Sequence, residues 1–184
     1  MVRTFTLDYN ALIDLEEKRN PQYSSLCKVL AENFEQLAIT AVSASENPPI
    51  NNFMEFKAKV LAIPELRAIR DGQILKPTAI FGFSFLDWSL YGDGVGQPMT
   101  QLKEDIGSIL FSQLFPITSL DSKTRNKLAD VMTLWCHIYN KRDIFVTSDK
   151  NFHRNSCQLV ELAQNYYGHR ITICQPSELR TKIQ

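Results

Sequence analysis

The stretch IFVTSDKNF (144–152) decides how this chain folds, because a short apolar run ends directly in polar and charged side chains. Its first three residues are bulky and strand-forming, and Asp149 stands three positions beyond them. The segment 148–151 could simply be the turn that ends a strand. Alternatively, ligands in open α/β sheets bind just outside the carboxyl ends of strands, so an acid there could hold a metal or a substrate. The remaining sequence has to discriminate between a turn and a site.

The composition is that of a folded protein without a strong overall field. The chain has 184 residues, of which 44% are hydrophobic, and its 20 Lys and Arg balance its 20 Asp and Glu. This length supports one domain with a sizeable core. A net charge of zero argues against a protein that coats nucleic acid through its overall field, although a local basic patch is compatible with it.

The cysteines, histidines and apolar runs exclude several further classes. The four cysteines and three histidines have none of the spacings typical of a zinc site or a disulfide framework. We therefore expect reduced thiols and no zinc hydrolase. The chain opens without a cationic and apolar leader, and its apolar runs are shorter than the roughly 20 residues that span a bilayer. These features predict a cytoplasmic protein that does not enter the membrane.

Apolar patterns predict strands that alternate with helices along the chain. The predicted strands are 3–7, 37–42, 143–147 and 170–174. The predicted helices are 10–18, 22–36, 52–61, 64–72, 99–114, 122–140, 156–167 and 176–182. Such alternation implies a mostly parallel sheet covered on both faces. We predict a three-layer α/β/α fold in a single domain over residues 1–184.

The segment 76–98 fits this alternation least well. Its three alternating phenylalanines at 81, 83 and 85 could line one face of a strand. The glycine-rich part at 91–98 predicts a loop and lacks the spacing of a phosphate-binding loop.

Acidic residues follow three of the predicted strands. Asp8 comes directly after the first strand, Glu46 lies just past the second, and Asp149 lies past a third. If these strands lie side by side and parallel, the three acids gather at one edge of the sheet. Crowded like charges are unfavourable unless a cation neutralises them, so the cluster predicts a divalent metal. Ligands that are all oxygen favour Mg²⁺ or Mn²⁺ over zinc.

A fourth acid, Asp130, lies on the predicted helix directly before the strand that leads to Asp149. It lies off the apolar stripe of that helix, which consists of Leu128, Val131, Met132, Trp135 and Tyr139. Asp130 is therefore either a solvated helix residue or a carboxylate turned towards the strand ends.

Taken in order, four segments resemble the PIN-domain family. LDYNALIDL (7–15) resembles its first strand–helix junction, and AVSASE (41–46) resembles its second strand running into a glutamate. LADVMTLWCHIYNKRDIFVTSDKNF (128–152) resembles its third block, in which an aspartate opens an apolar helix before a strand ending in Thr-x-Asp. ITICQPSEL (171–179) is similar to its last strand and terminus. The resemblance does not extend over residues 50–120, and we expect a family-specific insertion at about 64–120.

The resemblance implies a metal-dependent endoribonuclease that uses Mg²⁺ or Mn²⁺ and acts on single-stranded or looped RNA. It implies a site of four carboxylates with two supporting polar groups: Asp8, Glu46, Asp130 and Asp149, with Asn10 and Thr147. It also implies that the protein is a toxin with an antitoxin partner or a stand-alone RNA-processing enzyme, and that it forms a homodimer. The aromatic stretch 80–91 is our candidate dimer interface.

One departure from the family pattern leaves alternatives open. Glu46 is followed by Asn47, Pro48 and Pro49, which cannot continue a helix regularly. Glu55, on the next predicted helix, could replace Glu46. A binding or scaffold module with a degraded site is the alternative function, and a nuclease that acts on DNA is another.

Overall fold

A computed structural model describes residues 3–42, 52–77, 88–90, 97–117 and 121–184 of the chain. Five parallel strands form one sheet in the order β3-β2-β1-β4-β5. The strands are β1 (Phe5–Leu7), β2 (Leu37–Thr40), β3 (Ile74–Leu75), β4 (Ile144–Val146) and β5 (Thr172–Cys174). The predicted α/β class with a central parallel sheet is confirmed.

Helices cover both faces of this sheet. They are α1 (Tyr9–Glu16), α2 (Gln22–Asn33), α3 (Phe53–Ala62), α4 (Gln97–Phe111), α5 (Ser122–Tyr139), α6 (Lys150–Arg154), α7 (Ser156–Tyr167) and α8 (Leu179–Ile183). One hydrophobic cluster joins the sheet to α1, α2, α3 and α8, and a second joins it to α4, α5 and α7. Among the described helices, none combines the length and the apolar character that crossing a membrane requires. The four cysteines are free thiols, as expected.

The pleat of β1 sends alternate side chains to the two faces. Phe5 and Leu7 enter the cluster on the α1 side. Thr6 faces the other way, where its Oγ1 lies 3.0 Å from Nδ1 of His137 on α5. Because side chains two positions apart share a face, Asp8 also lies on the α5 side. The carboxyl end of a central strand therefore delivers an acid to the interface between the sheet and α5.

Helix α5 is buried more completely than its sequence pattern predicts. Every residue from Leu128 to Ile138 is buried except Asp130, which is half-buried. The sheet covers one side of α5, and α4 covers another. The apolar stripe predicted from the sequence is therefore only part of the buried surface, and Asp130 is the polar exception within it.

The predicted helix over 64–72 is wrong. Two 3₁₀ turns form instead, at Pro64–Leu66 and Asp71–Gln73, and they lead into β3. The side-chain nitrogen of Gln73 donates to the carbonyl oxygens of Phe34 and Leu37 at 2.8 and 3.1 Å. These contacts attach the segment to the start of β2, so tertiary pairing outweighs the local helical pattern.

Three features predicted from the sequence lie outside the described residues. They are Glu46, the phenylalanines at 81, 83 and 85, and residues 91–96 of the predicted loop at 91–98, whose last two residues instead begin α4. The insertion predicted at about 64–120 stays a prediction, although its described parts supply β3 to the sheet and α4 to the layer over α5.

Gly168 ends α7 in the left-handed region, with φ of 64°. An added Cβ there would meet nothing within 4 Å, so the cost of a side chain comes from the backbone alone. We expect Gly168→Ala to lower the free energy of unfolding by about 1 kcal/mol, measured by urea denaturation. Gly72→Ala is the matched control, since its surroundings are equally open and its φ is not in that region. An equal loss in both variants would contradict this reading.

Candidate active site

Among the described acids that follow strands, Asp8 is the most deeply buried, with 2% of its surface exposed. It stands at the N-cap of α1, yet its side chain forms no capping hydrogen bond. Instead it accepts a hydrogen bond from Oγ1 of Thr147 at 2.7 Å and a longer one from Nδ2 of Asn10 at 3.5 Å, both on Oδ2. The backbone of Tyr9, the first residue of α1, also lowers the pKa of Asp8, so this acid contacts both the start of the helix and Thr147.

The register of the sheet brings Asp8 and Thr147 together. Leu7 pairs with Val146 across β1 and β4, so Asp8 and Thr147 are the next two residues of that ladder. Leu7 also pairs with Ile39 on β2, which puts Thr40 on the other side of Asp8. Three polar side chains from adjacent parallel strands thus form a row at the carboxyl edge of the sheet. Thr40 and Thr147 are fully buried.

Thr147 also connects this row to Asp149. Its Oγ1 accepts a hydrogen bond from the backbone amide of Asp149 at 3.0 Å while donating to Asp8. Oδ1 of Asp149 accepts from the amide of Asn151 at 2.7 Å, so Asp149 caps α6. Residues 150–154 form this short helix, whereas a turn at 148–151 was one of the two alternatives left open by the sequence. Asp149 therefore ends a strand, begins a helix and lies beside a second carboxylate.

The hydrogen bonds that Asp8 accepts compensate only part of the cost of burying its negative charge. Burial raises its pKa from 3.8 to about 6, the hydrogen bond from Thr147 opposes that shift, and the charge of Asp149 adds to it. A carboxylate with a raised pKa beside a second carboxylate would be stabilised by a bound cation.

The half-buried Asp130 is carried towards the same edge by α5. His137 contacts Thr6 in the middle of β1, and Oγ1 of Thr133 lies 3.3 Å from Oγ1 of Thr40 at the end of β2. The N-terminal part of α5 therefore lies nearer to the carboxyl edge of the sheet than its C-terminal part does. Asp130 lies three residues before Thr133 on the same side of the helix, about 4.5 Å further along its axis.

The oxygen donors present fit a hard divalent cation. Among the residues that the structure describes, no three His, Cys, Asp or Glu side chains lie together closely enough to form a metal-binding group. Mg²⁺, however, is usually held by one or two carboxylates while water fills its other positions. Asp8 and Asp149 supply two such carboxylates: the charge of Asp149 acts on Asp8, and Thr147 bonds to the carboxylate of Asp8 and to the backbone amide of Asp149. Their chemistry fits Mg²⁺ or Mn²⁺.

Glu55, the alternative to Glu46, lies in the first turn of α3. Helix α3 packs in the cluster on the α1 side of the sheet, whereas Asp8 faces α5. Among the residues that the structure describes, Glu55 forms no metal-binding group of three with Asp8 and Asp149.

The sequence reasoning gave no role to Asp14 and Ser148. Asp14 is 6% exposed, and its Oδ2 accepts a hydrogen bond from Oγ of Ser148 at 3.1 Å. Burial raises the pKa of Asp14, while the hydrogen bond from Ser148 lowers it. The available signal was an acid between Ile13 and Leu15 on an otherwise apolar face of α1, where a charged residue is unexpected.

Cationic side chains lie beside this edge. Lys150 and Arg154 are exposed on α6, directly after Asp149. The C-terminal end of α4 contacts both α6 and α5. Nδ2 of Asn151 on α6 donates to the carbonyl oxygen of Leu110 at 3.0 Å. Nζ of Lys127 on α5 lies 5.3 Å from the ring centre of Phe111. His153 is used internally, since its Nε2 lies 2.8 Å from the carbonyl oxygen of Thr147.

A cavity of about 400 Å³ lies elsewhere in the fold. It is bounded by β3, Trp88 and the C-terminal end of α5 at Tyr139 and Asn140. Because α5 runs against the strands, this end of the helix is the one remote from Asp130. The cavity is therefore separate from the row of polar residues at the carboxyl edge.

Comparison with known proteins gives little further guidance. No protein-family model and no curated protein match the chain. Among solved structures, the chain is similar to one described as "Structure of FitAB bound to IR36 DNA fragment", at 11% identity and a TM-score of 0.45, over 95% of this chain and 96% of that chain. A likeness at this level assigns neither a family nor an activity.

Proposed function

We propose that this protein is a metal-dependent ribonuclease in which Asp8 and Asp149 hold Mg²⁺ or Mn²⁺. One observation carries the proposal: a buried acid of raised pKa is joined through Thr147 to a second acid at the carboxyl edge of adjacent parallel strands. Asp130 and Glu46 are proposed as further carboxylates of the site, and Asn10 as a supporting group. The resemblance of the sequence to PIN domains supports the same assignment.

The arrangement suits phosphodiester hydrolysis because its donors are held before substrate arrives. A bound Mg²⁺ or Mn²⁺ would lower the pKa of a water molecule and neutralise charge on the phosphate. Thr147 orients Asp8 by donating to Oδ2, and the amide of Asn151 orients Asp149 by donating to Oδ1. Hydrogen bonds of this kind fix the geometry of metal ligands and raise their affinity.

An RNA substrate is favoured by the chain's local charge and by the resemblance. Because the net charge is zero, contact with a polyanion has to come from a local group of cations. Lys150 and Arg154 beside Asp149, with Lys127 on α5, can supply that group. Single-stranded or looped RNA is proposed because its bases are unstacked and accessible. The antitoxin partner and the homodimer stay predictions from the resemblance.

Cleavage of RNA by the purified protein tests this function. The parent, Asp8→Asn and Asp149→Asn are incubated with several RNAs and with Mg²⁺ or Mn²⁺ in turn. We expect the parent to cleave and each variant to lose more than about 100-fold in rate, since even indirect partners of metal ligands contribute 10- to 100-fold. Asp71→Asn, an exposed acid paired with Lys57, is the matched control and should cleave normally.

A binding module without catalysis is the second candidate. It is favoured by one observation, namely that the described residues contain a pair of acids rather than a group of three. Absence of cleavage by the parent on every RNA with both metals, while RNA binding persists, would favour this candidate over the nuclease.

A further inference from the structure

The segment that carries Asp149 is held from both faces of the sheet. Thr147 donates to Asp8 on the α5 side, and the next residue, Ser148, donates to Asp14 of α1 on the opposite side. This alternation continues the pleat of β4 past its last paired residue. Asp149 follows at once, so its position depends on both attachments.

Burying the carboxylate of Asp14 costs folding free energy, which a purely structural role would not explain. It is 6% exposed on α1 and accepts its hydrogen bond from a neutral hydroxyl, and burial raises its pKa more than Ser148 and the charge of Arg19 lower it. An apolar side chain in such a position would avoid the desolvation of a carboxylate. Costs of this kind are typical of functional sites, where geometry takes precedence over stability.

Helix α1 connects the two acids of the proposed site. Its N-cap is Asp8, and the amide of Leu12 donates to the backbone oxygen of Asp8 at 3.2 Å. The same helix carries Asp14, whose carboxylate holds Ser148. A rigid helix therefore links the backbone of Asp8 to the segment that leads to Asp149.

We propose that Asp14 is a positioning residue, which accepts the hydroxyl of Ser148 and so holds Asp149 at the distance from Asp8 that a shared metal requires. The inference rests on the proposed function, in which both acids bind the metal. Asp14 itself contacts neither metal nor substrate.

Mn²⁺ affinity, followed by electron paramagnetic resonance of the free ion, tests the inference. Ser148→Ala and Asp14→Leu should each weaken binding 10- to 100-fold, and the double variant should be no weaker than either single variant because both act through one hydrogen bond. Ser148→Thr, which keeps the hydroxyl, should bind like the parent. The unfolding free energy of Asp14→Leu should not fall.

Hydrogen exchange of the metal-free protein supplies a second readout. The peptide that spans 147–151 should exchange faster in Ser148→Ala and Asp14→Leu than in the parent. Thr4→Val is the matched control, because Oγ1 of Thr4 also donates to a carboxylate, that of Asp143, at 2.8 Å but at the start of β1. It should change neither exchange at 147–151 nor Mn²⁺ affinity.

The outcomes separate the two proposals. If the parent binds Mn²⁺ and Asp8→Asn does not, while Ser148→Ala and Asp14→Leu both match the parent, the inference falls alone. If the parent binds no Mn²⁺, the proposed function and the inference fall together.

Discussion

Replacing Asp8 by asparagine is expected to make the metal-free protein more stable, by about 3 kcal/mol at about pH 8. The reason is that burial raises the pKa of Asp8 from 3.8 to about 6, so ionising it costs free energy in the folded state. A difference of about 2 pKa units corresponds to about 3 kcal/mol. Asparagine has a similar shape and keeps an oxygen that can accept the hydrogen bond from Thr147.

The sign of this effect fixes its pH dependence. Between pH 3.8 and about 6 the folded state holds the Asp8 proton more tightly than the unfolded state. The contribution of Asp8 to the unfolding free energy of the parent therefore falls as pH rises through that window and is level above it. Asp8→Asn lacks this fall, so urea denaturation should give converging values in acid and separated values above about pH 6.

We expect enough added metal to reverse the order of stability of the two proteins. A cation that binds the folded state stabilises it in proportion to the logarithm of its concentration above Kd. Added Mn²⁺ should therefore raise the unfolding free energy of the parent and leave that of Asp8→Asn unchanged. Asp71→Asn should follow the parent in both conditions. A variant that is less stable than the parent at every pH would contradict the assignment of Asp8 as an uncompensated acid.

Thr147→Val is expected to have the opposite effect on stability, with a loss of about 2–3 kcal/mol above about pH 6. Valine keeps the shape of the side chain, but it removes the donor to Asp8 and the acceptor for the amide of Asp149. Hydrogen bonds to charged groups contribute more than neutral ones. We expect Mn²⁺ affinity to fall 10- to 100-fold as well, because Thr147 orients both acids.

Thr133→Val supplies the matched control for this prediction. Thr133 is also buried, but its hydroxyl meets the neutral hydroxyl of Thr40. It should lose about 1 kcal/mol, with no change across pH 4–8 and normal Mn²⁺ binding. Equal and pH-independent losses in Thr133→Val and Thr147→Val would show that the charge of Asp8 is not what Thr147 stabilises.

The helices that could be predicted are those with strong local signals. Helix α7 lies at the predicted 156–167, and α5 differs from its prediction by one residue at its end. Their apolar periodicity and their caps act within a few residues, so they can be read along the chain. Strand β3 has only Ile74 and Leu75, which pair with Ile39 and Thr40 of β2, while the side chain of Gln73 bonds to the start of β2. Such a contact between distant segments has no local pattern.

The candidate site likewise has features that are local in the sequence and features that depend on contacts between distant segments. That Asp8 and Asp149 end strands follows from their place after short apolar runs, because a strand's length and pleat are local properties. That Thr147 joins them follows from the adjacency of β1 and β4, and the hydrogen bond between Ser148 and Asp14 spans 134 positions of the chain. The sequence by itself determined that Asp8 and Asp149 follow strands at the carboxyl edge of the sheet. Only the tertiary structure decided that they are neighbours, because strand order and helix placement depend on packing between segments remote in sequence.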